Sequence, residues 1–325
     1  MRTRWPNLKV FADEWSWVHL PGRETWDIAV FFQNMPSRLL LDSVNIRNAI
    51  LIPMYDTCPK EKEYWDQFLD CGIVCFSKAL SDLLTPWGHT VIRVQYYPEV
   101  PQRGIDWGQG AKKAFFWPRK PDLGWSVVRR FLEGREWEKV HLHVTESDEA
   151  LVEGLTREDE KRFSISRTKW FINRGEMFRV LADCQIYFAP RRTEGIGMSF
   201  LEAMALGMAV VAPDAPTMNE YIRDGENGYL YDPDDPKPIS FEKAQDIGKR
   251  ARQSIIEGKA RWQATESDLL GFIANVGIER ARARWTEESR SLQKIAMKKY
   301  RSYIVLEPLR MIKRMILKIL TREKK

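Results

Sequence analysis

Residues 183–232 read DCQIYFAPRRTEGIGMSFLEAMALGMAVVAPDAPTMNEYIRDGENGYLYD. The run IYFAP at 186–190 is apolar and stops at a proline, as a short buried parallel strand does. AVVAP at 209–213 repeats the pattern, and MSFLEAMAL at 198–206 between them reads as a helix. The unit is therefore strand, helix, parallel strand. Glu194 opens a glycine-punctuated turn, Gly195-Ile196-Gly197, and Glu202 lies in the second turn of the helix. The glycines sit at the carboxyl end of the first strand, where open α/β sheets bind their ligands.

Glycines let the backbone approach a ligand closely, and the free N–H groups and dipole of a first helical turn favour an anion such as a diphosphate. A carboxylate does not bind that anion, so the two glutamates face another part of the same ligand, for which sugar hydroxyls are the natural donors. Helical side chains lean toward the N-terminus, which brings Glu202 back toward the ligand. There it can accept from two vicinal ribose hydroxyls. Two plainer readings compete. A dinucleotide fingerprint would need a third glycine where Phe200 stands, and the glutamates could be a helix cap and a solvated helix position.

The pair Glu194 and Glu202, with Ala203-Met204-Ala205-x-Gly207 and Asn219-Glu220-x-Ile222-x-x-Gly225-x-Asn227-Gly228, resembles the donor-binding half of retaining GT-B glycosyltransferases of family 4. The resemblance is dense over 183–232, looser over 112–293 and weak before 105. It implies an α/β, GT-B-like fold of two Rossmann-like domains facing a cleft. It also implies Glu194 as the catalytic residue on the donor sugar, Glu202 on the ribose, and the amides of Gly195, Ile196, Gly197, Met198, Ser199 and Phe200 on the diphosphate. Asn219 and Glu220 match the loop that closes the same pocket. The family grips the diphosphate with an arginine and a lysine five residues on. Arg119 fits the first position, Gly124 stands at the second, and Lys120 is the substitute. A His-Asp pair that faces the donor sugar in the family corresponds to Tyr55 and Asp56, a departure that leaves the donor open. The positive end of a helix does the neutralising work of a metal, so no metal or cofactor beyond the nucleotide-sugar donor is expected.

At 325 residues the chain has room for two α/β domains. The expected division is 1–105, a shortened acceptor-side domain; 106–300, the nucleotide-sugar domain; and 301–325, a basic C-terminal helix. With 44% hydrophobic and 30% charged residues, disordered and collagenous classes are excluded. The 13 tryptophans have no repeating period and read as packing residues. Cys58, Cys71, Cys75 and Cys184 have no zinc-like spacing, and no secretory leader is read at the N-terminus, so a cytoplasmic setting is expected. The net charge of +6 gathers after residue 290, from Lys294 to Lys325. No nucleic-acid partner is expected.

Along the chain, apolar runs at 27–32, 49–53, 73–76 and 90–94 read as strands. The family's first strand and its glycine-rich loop have no counterpart before residue 27, which reads as a shortened front. Prolines hold 96–102 extended, marking the domain boundary. Residues 113–118 read as a strand, 123–132 as a helix and 140–144 as a strand with His141 and His143 on one face. That pair is a structural one or, with a third ligand, a metal site. Helices are read at 174–182, 241–258 and 280–299, with 272–275 in another. At 309–320 the apolar residues Leu309, Ile312, Ile316, Leu317, Ile319 and Leu320 alternate with Arg310, Lys313, Arg314 and Lys318 in an amphipathic helix. It is too short and too charged to span a bilayer, so it lies on an anionic membrane surface or packs on the fold. The function expected is sugar transfer, with retention, to a glycan or lipid-linked hydroxyl acceptor in cell-surface glycan assembly, peripheral to the membrane. The alternatives are a non-catalytic nucleotide-sugar-binding or partner protein with a degenerate GT-B fold, and a GT-B sugar-nucleotide epimerase or hydrolase.

Overall fold

The computed structural model describes residues 25–108, 110–276, 291, 294, 295 and 298. The expected helices at 280–299 and 309–320 lie outside the described residues, apart from those four positions. Two compact units divide the chain: residues 1–52, 67–72 and 273–325 form one, and 53–66 with 73–272 the other. In the first, β1 (Thr25–Phe32), α1 (Arg38–Ser43) and β2 (Asn45–Ile52) form a parallel crossover, with Ala29 opposite Ala49 and Phe31 opposite Leu51. Ser37 caps α1 by accepting from the Leu40 amide, and Arg38 reaches Asp70 at 2.6 Å, fixing the helix to the 67–72 segment.

The second unit begins with α2 (Lys62–Trp65), β3 (Gly72–Cys75, all but its first residue), α3 (Lys78–Leu84) and β4 (Thr90–Arg93), with β3 beside β4. An extended segment without regular structure follows β4, as the prolines predict. Then come β5 (Lys113–Phe116), α4 (Trp125–Leu132), β6 (Lys139–His143), α5 (Arg157–Arg162), β7 (Ile165–Thr168), α6 (Arg174–Ala182), β8 (Ile186–Phe188), α7 (Met198–Leu206), β9 (Ala209–Pro213), β10 (Tyr229–Tyr231) and α8 (Ala244–Asn275). Strands β5 to β10 make one parallel sheet in the order β10-β9-β8-β5-β6-β7. From β5 the chain winds outward through β6 and β7, then returns to β8 and winds the other way. The switch point therefore falls between β5 and β8, the place where doubly wound sheets open a ligand crevice.

Alternation along the strands fills both faces. Phe116, Leu142, Phe188 and Val211 pack with Trp125, Phe131 and Phe163 on one side. Phe115, Tyr187, Val210 and Ala212 pack with Phe200, Leu201, Met204 and Ile255 on the other. Every residue of α7 from Phe200 to Leu206 is buried, so this helix is held rigidly against the sheet. Its end is sharp: Gly207 takes φ +88°, and its amide and that of Met208 return to the Met204 and Ala203 carbonyls.

One helix runs longer than read. Residues 244–275 form a single helix, whereas the sequence suggests a stop at Gly258 and a separate helix at 272–275. The physical reason is that Gly258 is a packing position. A Cβ there would come within 2.0 Å of the Tyr97 ring, so the residue clears room for an aromatic side chain and does not end the helix. Strands β7 and β10, of four and three residues, are additional to the sequence reading.

Candidate functional site

The two glutamates stand on either side of the open end of α7. Gly197 precedes this helix with φ +77°, a left-handed conformation that glycine adopts without strain. A Cβ at Gly197 would fall 1.9 Å from the Phe200 ring, so the turn closes only over a bare α-carbon. The first amide bonded back into the helix is that of Leu201, to Gly197 O at 3.2 Å. The N–H groups of Met198, Ser199 and Phe200 are left without a partner among the described residues. They form an anion-binding end at the sheet's switch point.

Glu194 is 9% exposed. Burial pushes its carboxyl up to about 7; Arg191 pulls it down, Asp56 adds to the rise, and Arg119 pulls it down again. Arg191 Nη1 lies 2.9 Å from Asp56 Oδ2 and 3.7 Å from Glu194 Oε2, so one guanidinium joins two carboxylates. Gly195 seats this cluster against the loop after β2, because a Cβ would meet Met54 at 2.8 Å and Asp56 Oδ1 at 3.0 Å. Tyr55 lies in the same loop beneath the Lys60 ammonium, 4.4 Å from its ring centre. The Ile196 carbonyl accepts from Thr217 Oγ1 at 3.5 Å.

Glu202 is 7% exposed, and Arg174, the first residue of α6, donates to its Oε1. Burial raises the carboxyl's pKa and Arg174 opposes the rise. A ribose reaching Glu202 must share or displace that arginine. Asn173 places Arg174 by capping α6, accepting from the Glu176 amide at 3.0 Å.

Arg119 is exposed beyond β5, with its guanidinium stacked over Trp117 at 4.6 Å. It acts electrostatically on Glu194, as noted above. Lys120 is exposed and begins a short helical turn without capping it. Asn219 is exposed and donates to Asp214 at 3.0 Å. The Glu220 carboxylate accepts from Ser77 Oγ at 2.8 Å, the Lys78 amide at 2.5 Å and the Ala79 amide at 3.1 Å. It caps α3, and the sequence reading of Glu220 as a pocket residue had no sign of this.

His141 and His143 are buried on β6 and bonded to β7. Ser166 and Thr168 hydroxyls lie 2.9 Å from the two His141 nitrogens, and Thr168 lies 2.8 Å from His143 Nδ1. Burial lowers the His141 pKa to about 4, with Lys139 and His143 adding to the fall. Among the described residues no group of three or more His, Cys, Asp or Glu is placed to hold a metal ion. Two hollows of about 230 and 390 Å³ lie elsewhere, at the amino ends of β5 and β8 and between α4 and α5. Neither lies at the carboxyl end of the sheet where β5 and β8 part, so the open end of α7 is the stronger candidate. Sequence reasoning missed Arg191 and the role of Arg174. The only signal for Arg191 was a cation three positions before Glu194.

Residues 165–246 match the family model described as glycosyl transferases group 1. The UDP-N-acetylglucosamine--peptide N-acetylglucosaminyltransferase GtfA subunit of Streptococcus agalactiae is 36% identical over 72 residues, which is 21% of this chain and 14% of the relative. Its counterpart in Streptococcus pneumoniae serotype 4 is 30% identical over 77 residues, 23% of this chain and again 14% of the relative. The chain thus aligns with a small part of these relatives' length. Among solved structures, sucrose-phosphate synthase from Thermosynechococcus elongatus superposes with a TM-score of 0.55 at 12% identity, covering 71% of this chain and 70% of that one. A glycosyltransferase from Rickettsia africae ESF-5 gives 0.54 at 14%, covering 77% of each. TarM gives 0.52 at 16%, covering 72% of this chain and 52% of its own. These are likenesses of fold, between parallel α/β sheets. The family model covers about a quarter of the chain, residues 165–246, which include α7 and the turn before it.

Proposed function

We propose that the chain transfers a sugar from a nucleotide-diphosphate donor to a hydroxyl acceptor with retention of configuration, in the manner of family 4. One observation carries the reading: two buried carboxylates, Glu194 and Glu202, flank the unpaired amides of α7 at the switch point of a parallel sheet. Diphosphate oxygens would lie on the amides of Gly195 to Phe200, with Arg119 beside them. Donors fixed in place before reaction stabilise a leaving anion without reorganisation. Glu202 would take the ribose hydroxyls once Arg174 yields, and Glu194 the donor sugar, with Tyr55 and Asp56 on the same side. In a retaining transfer the bond from the anomeric carbon to the phosphate oxygen breaks. The bond to the acceptor oxygen forms on the same face, and the acceptor's proton passes to the departing phosphate. No metal enters this scheme, because α7 and the arginines carry the positive charge.

The relatives' names make UDP-N-acetylglucosamine the first donor to try. For the acceptor we favour a glycan or lipid-linked hydroxyl at the cytoplasmic face, met through the basic segment 309–320. Calorimetry and turnover test the assignment together. Glu202→Ala should weaken donor binding by about 10- to 150-fold, the loss of a charged hydrogen-bond acceptor. Glu194→Gln should keep binding within a few-fold and reduce turnover strongly, because its contact strengthens in the transition state. Unchanged donor affinity in a folded Glu202→Ala protein contradicts the reading. NMR of the product's anomeric proton decides retention.

A further inference from the structure

A diphosphate carries more negative charge than one helix end, worth roughly half an elementary charge, can balance. Side-chain cations must supply the rest. The family resemblance places the second of these at position 124, and the structure forbids it. A Cβ on Gly124 would stand 2.8 Å from the Leu151 carbonyl oxygen, and that atom is backbone, so a shift is costly. Any longer side chain meets the same obstacle.

Arg191 stands three residues before Glu194, at the head of the turn. Its side chain is 28% exposed and is held through Nη1 by Asp56 and Glu194. Nε and Nη2 have no hydrogen bond among the described residues, so a planar fork of donors remains open. That fork is preorganised: two carboxylates fix the guanidinium before any ligand arrives, which reduces the ordering required on binding. Arg119 follows the carboxyl end of β5, which pairs with β8 at the same switch point.

We propose that Arg191 is a donor-binding residue, the second cation on the donor's diphosphate, paired with Arg119 across the open end of α7. This rests on the transferase reading above. Because Arg191 neighbours Glu194, at the sugar end of the donor, it meets the phosphate that carries the sugar and not the one attached to the nucleoside.

The test compares UDP with UMP, and GDP with GMP as a second pair, by calorimetry on wild type, Arg191→Ala, Arg191→Lys and Arg119→Ala at one ionic strength. Arg191→Ala should weaken the diphosphate about 10- to 150-fold, the range for a hydrogen bond to a charged group. It should change the monophosphate less than about threefold, since that ligand lacks the second phosphate. Arg191→Lys should fall between, keeping the charge and losing the fork. An arginine that serves only to hold Asp56 and Glu194 would lower Tm while leaving the diphosphate-to-monophosphate ratio as in wild type, and that result overturns the inference. Should Arg191→Ala not fold, the same ratio in Arg191→Lys decides. Wild-type protein that binds neither diphosphate overturns the transferase reading along with this one. Wild-type binding with an unaltered ratio in the variants overturns this one alone.

Discussion

Glu194 and Glu202 are the same residue type, both buried, and they differ in what faces them. Glu202 has a donating arginine, whereas Glu194 shares its arginine with Asp56 and lies 3.7 Å from it. Burial therefore raises Glu194 from 4.5 to about 7. The folded protein holds a proton there that the unfolded chain has released, so the contribution to stability is full at acid pH and is lost as pH rises through about 7. Wild type should lose on the order of 1 to 3 kcal/mol relative to Glu194→Gln between pH 5 and pH 8. Urea unfolding of both proteins at pH 5, 6, 7 and 8 measures this. Parallel curves would mean that the carboxyl titrates normally. Both glutamates were legible from their spacing around a glycine turn. Arg191 was not, because an arginine in a turn reads as solvated until the fold brings Asp56, 135 positions earlier, against it.

At the scale of elements, the 215–221 loop illustrates a residue whose motif and whose contacts point different ways. Asn219-Glu220 matches a pocket loop by sequence, yet the Glu220 carboxylate accepts from two backbone amides and the Ser77 hydroxyl at the start of α3. Such a cap stabilises by satisfying orphan N–H groups and by opposing the helix dipole. Glu220→Ala should cost about 1 to 2 kcal/mol and leave donor affinity within threefold, as read by urea unfolding and calorimetry. Lost donor affinity at unchanged stability would show that Glu220 acts in the pocket and not as a cap. The helices at 174–182 and 198–206 and the strand at 209–213 were readable to the residue. Each is bounded by a chemical signal: Asn173, Gly197 and Gly207, and Pro213. β7 went unread because Ile165-Ser166-Arg167-Thr168 holds a single apolar residue, and β10 because Tyr229-Leu230-Tyr231 stands alone between Gly228 and Asp232, whereas the equally short β8 is extended by Ala189 and Pro190. Gly258 misled because a glycine cleared for an aromatic ring and a glycine that stops a helix are the same letter until Tyr97 is seen beside it.

At the scale of the whole molecule, the charge is uneven: of a net +6, much comes from Lys294 to Lys325. Among the described residues no helix is long and apolar enough to cross a membrane; the 309–320 segment lies outside them, and its sequence is too short and too charged to span a bilayer. Its cations number four within twelve positions: Arg310, Lys313, Arg314 and Lys318. Each contributes about 1 kcal/mol near an anionic leaflet, and the apolar residues between them add burial in the headgroup boundary. Liposome co-sedimentation of the full chain and of a version ending at Glu307 separates this from packing on the fold. The full chain should sediment with vesicles containing phosphatidylserine, and less so as salt rises, since the Debye length shortens to about 3 Å at 1 M. The shortened chain should stay in the supernatant with an unchanged Tm. Binding that survives the deletion, or a deletion that lowers Tm by several degrees, identifies the segment as part of the packed fold and removes the lipid surface from the proposed reaction.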